Sequence, residues 1–262
     1  MKHSITLLTL AAVAAWAVPA MGDWDIGDPH KMHFPQLPDP TGWDVSASRW
    51  PEAPPTSLAD DFLCTQSGLI TDIHLWTSYE EAMGGGALID HIELSIHEDI
   101  PAGQSGPFSM PGNTLWTWES GDLTAAAIES DYWQGWYDPV SGEWNHPDHR
   151  GYFQVNLDIP SSEAFYQEEG TTYWLSTEII EAEVYYYAFL PVGKMGWKTS
   201  SDHWNDEAVY WDQAVNQWRK LLNPITDEPM DLAFVITPEP TTMVLLALGG
   251  LGVLSRRRMT KR

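Results

Sequence analysis

Apolar and polar residues alternate one for one through His91-Ile92-Glu93-Leu94-Ser95-Ile96-His97. That register puts Ile92, Leu94 and Ile96 on one face and His91, Glu93, Ser95 and His97 on the other, the signature of a half-buried strand. Comparable stretches recur at 58–64, 69–77, 114–119, 152–157, 172–179, 184–190, 208–212 and 231–236. Turn formers such as Met83-Gly84-Gly85-Gly86 and Glu169-Gly170 separate them. Helical periodicity is confined to two short stretches, 123–130 and 212–222. Many short strands without intervening helices predict an all-β protein, a single β-sandwich of jelly-roll type over residues 57–236. Ahead of it, residues 23–56 carry Pro29, Pro35, Pro38, Pro40, Pro51, Pro54 and Pro55. Proline at that density excludes helix and disfavours long central strands. The segment is expected to be an extended arm laid over the domain, with Phe34, Trp43 and Trp50 as anchors.

Two apolar runs flank this pattern. Lys2 and His3 precede a run from 5 to 17, followed by Pro19 and the small residues Ala20 and Gly22. A basic start, a short apolar stretch and a small-residue exit are the layout of a secretory signal peptide, here residues 1–22. The second run, 243–254, would be about 18 Å long as a helix at 1.5 Å per residue. A hydrocarbon core is about 30 Å thick, so this short transmembrane helix makes a poor permanent anchor. Arg256, Arg257, Arg258, Lys261 and Arg262 follow it and act as a stop-transfer signal.

Pro238-Glu239-Pro240, the short apolar run and the cluster Arg256-Arg257-Arg258 together resemble the PEP-CTERM sorting signal, over residues 237–262. The resemblance implies recognition by exosortase, a membrane peptidase that removes such tails and passes the protein to the cell surface or extracellular matrix. The membrane would be touched only through the tail, transiently, before processing. Further in, Thr71-Asp72-Ile73-His74-Leu75-Trp76, Gly196-Trp197-Lys198-Thr199-Ser200 and His203-Trp204-Asn205-Asp206-Glu207-Ala208-Val209-Tyr210-Trp211 resemble an uncharacterised, Trp-rich domain of exported PEP-CTERM proteins. That resemblance implies export and a β fold, and carries no activity with it.

Charge narrows the partners. The chain has 13 cations, 37 carboxylates and a formal charge of −24. Six of the cations lie in the two tails, so the domain between them is more acidic still. A field of that sign repels nucleic acid and anionic lipid. Cys64 is the one cysteine, so no intrachain disulfide can form, and its apolar setting makes it a small buried side chain rather than a nucleophile.

Chemistry is densest between Trp197 and Trp211. Trp197, Lys198, His203, Trp204, Asn205 and Trp211 combine aromatic planes with polar groups, the mixture a polysaccharide-binding face requires. A hairpin with core tryptophans and turn hydrogen bonds would use the same residues. If Asp60 and Asp61 met Asp206 and Glu207 across a sheet, they would offer oxygen ligands to a structural calcium ion. The pairs His30/His33 and His146/His149 lie beside prolines and read as surface histidines. No catalytic motif, phosphate loop or dinucleotide fingerprint is present, and no other cofactor is called for. The expectation is an exported, non-enzymatic surface or matrix protein whose sandwich binds polysaccharide or other matrix components, or simply packs there. The alternative is a secreted carbohydrate-active enzyme using carboxylate catalysis on a jelly roll.

Overall fold

The computed structural model describes residues 24–49, 57–81, 89–121, 123–181 and 194–238. The expected signal peptide, Trp50, the strand at 184–190, and Glu239, Pro240, Arg256, Arg257 and Arg258 of the sorting signal fall outside these residues. The chain divides into Asp28–Glu239, which carries every described strand, and a second unit of Met1–Gly27 with Pro240–Arg262.

The protein is all-β among the described residues. In chain order the strands are β1 (Trp43–Ser46), β2 (Ser48–Arg49), β3 (Leu58–Leu63), β4 (Gly68–Ile70), β5 (Asp72–Tyr79), β6 (Ile89–Ile100) and β7 (Met110–Glu119). Then come β8 (Thr124–Ile128), β9 (Gln134–Tyr137), β10 (Trp144–His149), β11 (Tyr152–Asp158), β12 (Phe165–Gln167) and β13 (Thr172–Glu181). The last are β14 (Met195–Lys198), β15 (Val209–Asp212), β16 (Gln217–Lys220) and β17 (Phe234–Ile236). The larger sheet runs β10-β9-β1-β14-β5-β11-β8, with β17 also paired to β5. The smaller runs β16-β15-β3-β13-β6-β7, with β2 also paired to β13, and β12-β4 forms a separate pair. Most neighbours are antiparallel, but β1–β9 and β2–β13 are parallel.

The core follows the alternation. Ile92, Leu94 and Ile96 of β6 are fully buried, as are Leu75 of β5 and Leu175 of β13. Phe62 of β3 meets Phe234 of β17 edge to face at 6.0 Å, joining the two sheets through their inner faces. Full burial of each such side chain contributes about 1.5–3 kcal/mol.

Two expected helices are strands. Residues 124–128 are β8, laddered along β11, and a helix that short has no stability of its own. Residues 212–222 hold the turn and second strand of the β15–β16 hairpin, and Asn216 takes the left-handed conformation (φ 56°) that the turn requires. The Pro-rich arm also does more than lie across the domain. Its Pro-free stretch between Pro40 and Pro51 supplies β1, which sits inside the larger sheet between β9 and β14.

Candidate functional site

Two expected ligand-binding residues, Trp197 and Lys198, are structural. Trp197 is fully buried and donates its indole N–H to the Ala233 carbonyl at 2.8 Å. Lys198 is equally buried, with Nζ 3.1 Å from Asp44 Oδ2. The same oxygen lies 2.9 Å from His149 Nε2, and His149 Nδ1 lies 2.9 Å from Asp148 Oδ2. Burial alone would lower the His149 pKa, but its hydrogen bonds with Asp148 and Asp44 outweigh that and raise it to about 9. Burial pushes the Asp44 carboxyl up, yet Lys198 and His149 hold it below the ordinary range. His149 is therefore an interior histidinium and not a surface residue. The chain folds this way because the paired strands β1 and β14 put Asp44 directly opposite Lys198, and His149 reaches Asp44 from β10, across the intervening β9.

Asp60, Asp61, Asp206 and Glu207 do not meet around a common point. Asp60 and Asp61 are consecutive on β3, so their side chains leave opposite faces. Asp60 accepts from Gln36 Nε2 at 2.8 Å and from the Leu232 amide at 2.6 Å. Asp61 accepts from Asn205 Nδ2 at 2.6 Å, and Asp206 from the Ser109 amide at 3.1 Å. Glu207 is bound to the Lys220 ammonium. Among the described residues, no group of three or more His, Cys, Asp or Glu is placed to hold a metal ion. Burial, followed by the charges of Asp231 and Asp61, keeps Asp60 protonated well above the usual range. Burial likewise raises Asp61 to about 8 and Asp231 to about 6.

The rest of the 197–211 segment divides. His203 Nδ1 lies 2.8 Å from Asp231, whose other oxygen accepts the Trp204 amide at 2.7 Å. Trp204 stacks on His33 with centroids 4.3 Å apart, and Asn205 is held at φ 58°. These contacts fix a loop. Of the expected ligand-binding residues, Trp211 lines an open hollow, together with Trp218 opposite it on β16 (centroids 5.3 Å apart).

The hollow that best suits a ligand lies where β9 and β10 of the larger sheet approach β15 and β16 of the smaller. It has a volume of about 590 Å³, and Tyr137, Trp144, Tyr210 and Trp218 converge on it with Asn223 and Asp227. Trp144 is 45% exposed, braced edge to face at 6.1 Å by the buried Trp43, which also meets Tyr137 at 6.3 Å. Burial first, then Tyr210 and Asp138, pushes the Tyr137 phenol up to about 12, so it stays a hydrogen-bond donor. Arg219 and Lys220 also line the cleft, but Asp212 holds the Arg219 guanidinium at 2.6 Å and Glu207 holds Lys220. Sequence reasoning missed Tyr137, Trp144, Tyr210 and Trp218. The available signal was Trp211 and Trp218 flanking Asp212 and Asn216, a hairpin arrangement that the helical reading of 212–222 hid.

No curated protein and no solved structure matches the chain. A PEP-CTERM protein-sorting motif matches residues 237–258, which marks the chain for exosortase processing, export and sorting to the cell surface. Residues 32–237 match the family described as Domain of unknown function (DUF7901), and the chain belongs to that family.

Proposed function

We propose that the domain binds a neutral polysaccharide of the cell surface or surrounding matrix, in the cleft between the β9–β10 and β15–β16 edges. The observation that carries this reading is the convergence of Tyr137, Trp144, Tyr210 and Trp218 on one hollow with Asn223 and Asp227. Aromatic planes stack on the CH faces of sugar rings, and amide, carboxylate and phenol groups bond their hydroxyls. The formal charge of −24 repels polyanions, and the cleft's two cations are already paired, so an uncharged chain fits best. Asp227 is the one carboxylate among the cleft's described lining residues. Glycoside hydrolysis uses two, about 5–9.5 Å apart, so the lining supports binding over hydrolysis.

The test is calorimetric titration of the exported protein with soluble neutral oligosaccharides, backed by co-sedimentation with insoluble polysaccharides. Binding should weaken at least about tenfold, a loss of about 1.4 kcal/mol, in both Trp144→Ala and Trp218→Ala. Binding unaffected by either substitution would remove the cleft from the reading. Product release from the polysaccharide would point to the hydrolase instead.

A further inference from the structure

A second hollow adjoins the first. It covers about 700 Å³ on the outer face of the smaller sheet, and its lining includes Ser95, His97, Thr114, Ser176, Trp211 and Trp218. Trp218 also lines the cleft and is the one described residue common to both. It stands on β16, the edge strand of the smaller sheet, so one indole divides a hollow beyond the edge from a hollow over the face. On this face β6 turns Ser95 and His97 outward while it buries Leu94 and Ile96, beside a buried apolar cluster of Ala59, Trp174 and Val209 against which Trp218 packs. In register with them, β13 presents Trp174 opposite His97 and Ser176 opposite Ser95.

We infer that the ligand is an extended polysaccharide chain that crosses Trp218, occupying the cleft with one stretch and the outer groove with the next, rather than a short oligosaccharide or chain end held in the cleft alone. This rests on the reading above and goes beyond it. Each hollow adds an aromatic platform to the shared indole: Trp144 in the cleft, and in the groove Trp211, which packs against Trp218 with centroids 5.3 Å apart. The groove supplies the polar groups that a passing sugar needs. Gln104, Asn113 and Thr114 line it as exposed residues, and Thr114 Oγ1 lies 3.2 Å from His97 Nδ1. Once one stretch of a chain is bound, the next meets the groove as an intramolecular event at high effective concentration. Affinity therefore rises with chain length well past the size that fills the cleft.

The experiment is a titration series of one neutral oligosaccharide family, from disaccharide to the longest soluble member, against the full exported protein and two groups of variants. Affinity is expected to climb at least about tenfold from short to long chains. Trp144→Ala should weaken every length. Trp211→Ala, and separately the exposed-residue pair Gln104→Ala/Asn113→Ala at the groove, should weaken only the long chains. The exposed pair guards against misfolding of the Trp211 variant. Short chains that bind as tightly as long ones, or long chains indifferent to both groove variants, would overturn the crossing while leaving the cleft in place. Failure of any chain to bind would bring down the cleft reading and the crossing with it.

Discussion

The outward faces of the two sheets both bury carboxylates, and they neutralise them differently. On the larger sheet Asp44 and Asp148 are matched by Lys198 and His149, two negative charges against two positive ones. On the smaller sheet Asp61 is just as buried, but the charged groups around it are Asp99, Asp206 and Asp231. There burial raises the pKa to about 8, and a proton takes the place of a cation. The difference shows in the response to pH. Asp44 is held low, so its contribution is present above the ordinary carboxylate range and is lost as the pH falls through its folded value. His149 is raised, so its contribution is complete below about 6.5 and lost as the pH climbs to about 9. Asp61 is a raised carboxyl, so its contribution is complete below about 4 and is lost as the pH rises to about 8. The Asp44 pairing therefore weakens in acid, whereas His149 and Asp61 both weaken as the pH rises.

The sharpest break in this contrast is Lys198→Met. It strands Asp44 beside a single remaining cation in a fully buried setting, and removing one partner of a buried pair costs about 3–5 kcal/mol. Urea unfolding should show the midpoint fall sharply, with partial recovery in Lys198→Met/Asp44→Asn. An unchanged midpoint would mean that the tetrad does not hold the sheet. The next effect is smaller. Between pH 5 and 8 the parent protein should lose stability, with Asp61 contributing a slope of up to about 1.4 kcal/mol per pH unit. Asp61→Asn imitates the protonated acid and keeps an acceptor for Asn205, so it should flatten that slope. A slope equally steep in the variant would place the titration on another group.

How much of this was legible beforehand depends on which physical signal each residue carried. Strict alternation marked β6 correctly because period two survives any tertiary arrangement, and Ile92, Leu94 and Ile96 are buried as it requires. The sorting motif was equally legible, being a local pattern read by another protein. Hydropathy misjudged Lys198, because a lysine becomes interior only when a distant segment supplies its counter-ion, here Asp44 on β1, 154 residues away. His149 was hidden in the same way, 105 residues from Asp44. The cleft was the least visible feature. Tyr137 and Trp144 belong to one sheet and Tyr210 and Trp218 to the other, so nothing short of the packing of two edges brings them together.

The smallest expected effect bears on that cleft. Aromatic residues concentrate in the core of this protein, and Trp136, Trp174 and Trp197 are among its largest fully buried side chains. Trp144 differs in being nearly half exposed, with its ring edge to face with Trp43 and open to the cleft. Substitution at a site so open usually changes stability by within about 0.5 kcal/mol. Trp144→Ala should accordingly unfold in urea at nearly the parent midpoint, even though its binding is expected to collapse. A cost of about 3 kcal/mol or more, the range seen when a core aromatic is truncated, would class Trp144 with Trp136 as packing. The cleft would then be a packed seam between two sheets rather than an open aromatic site.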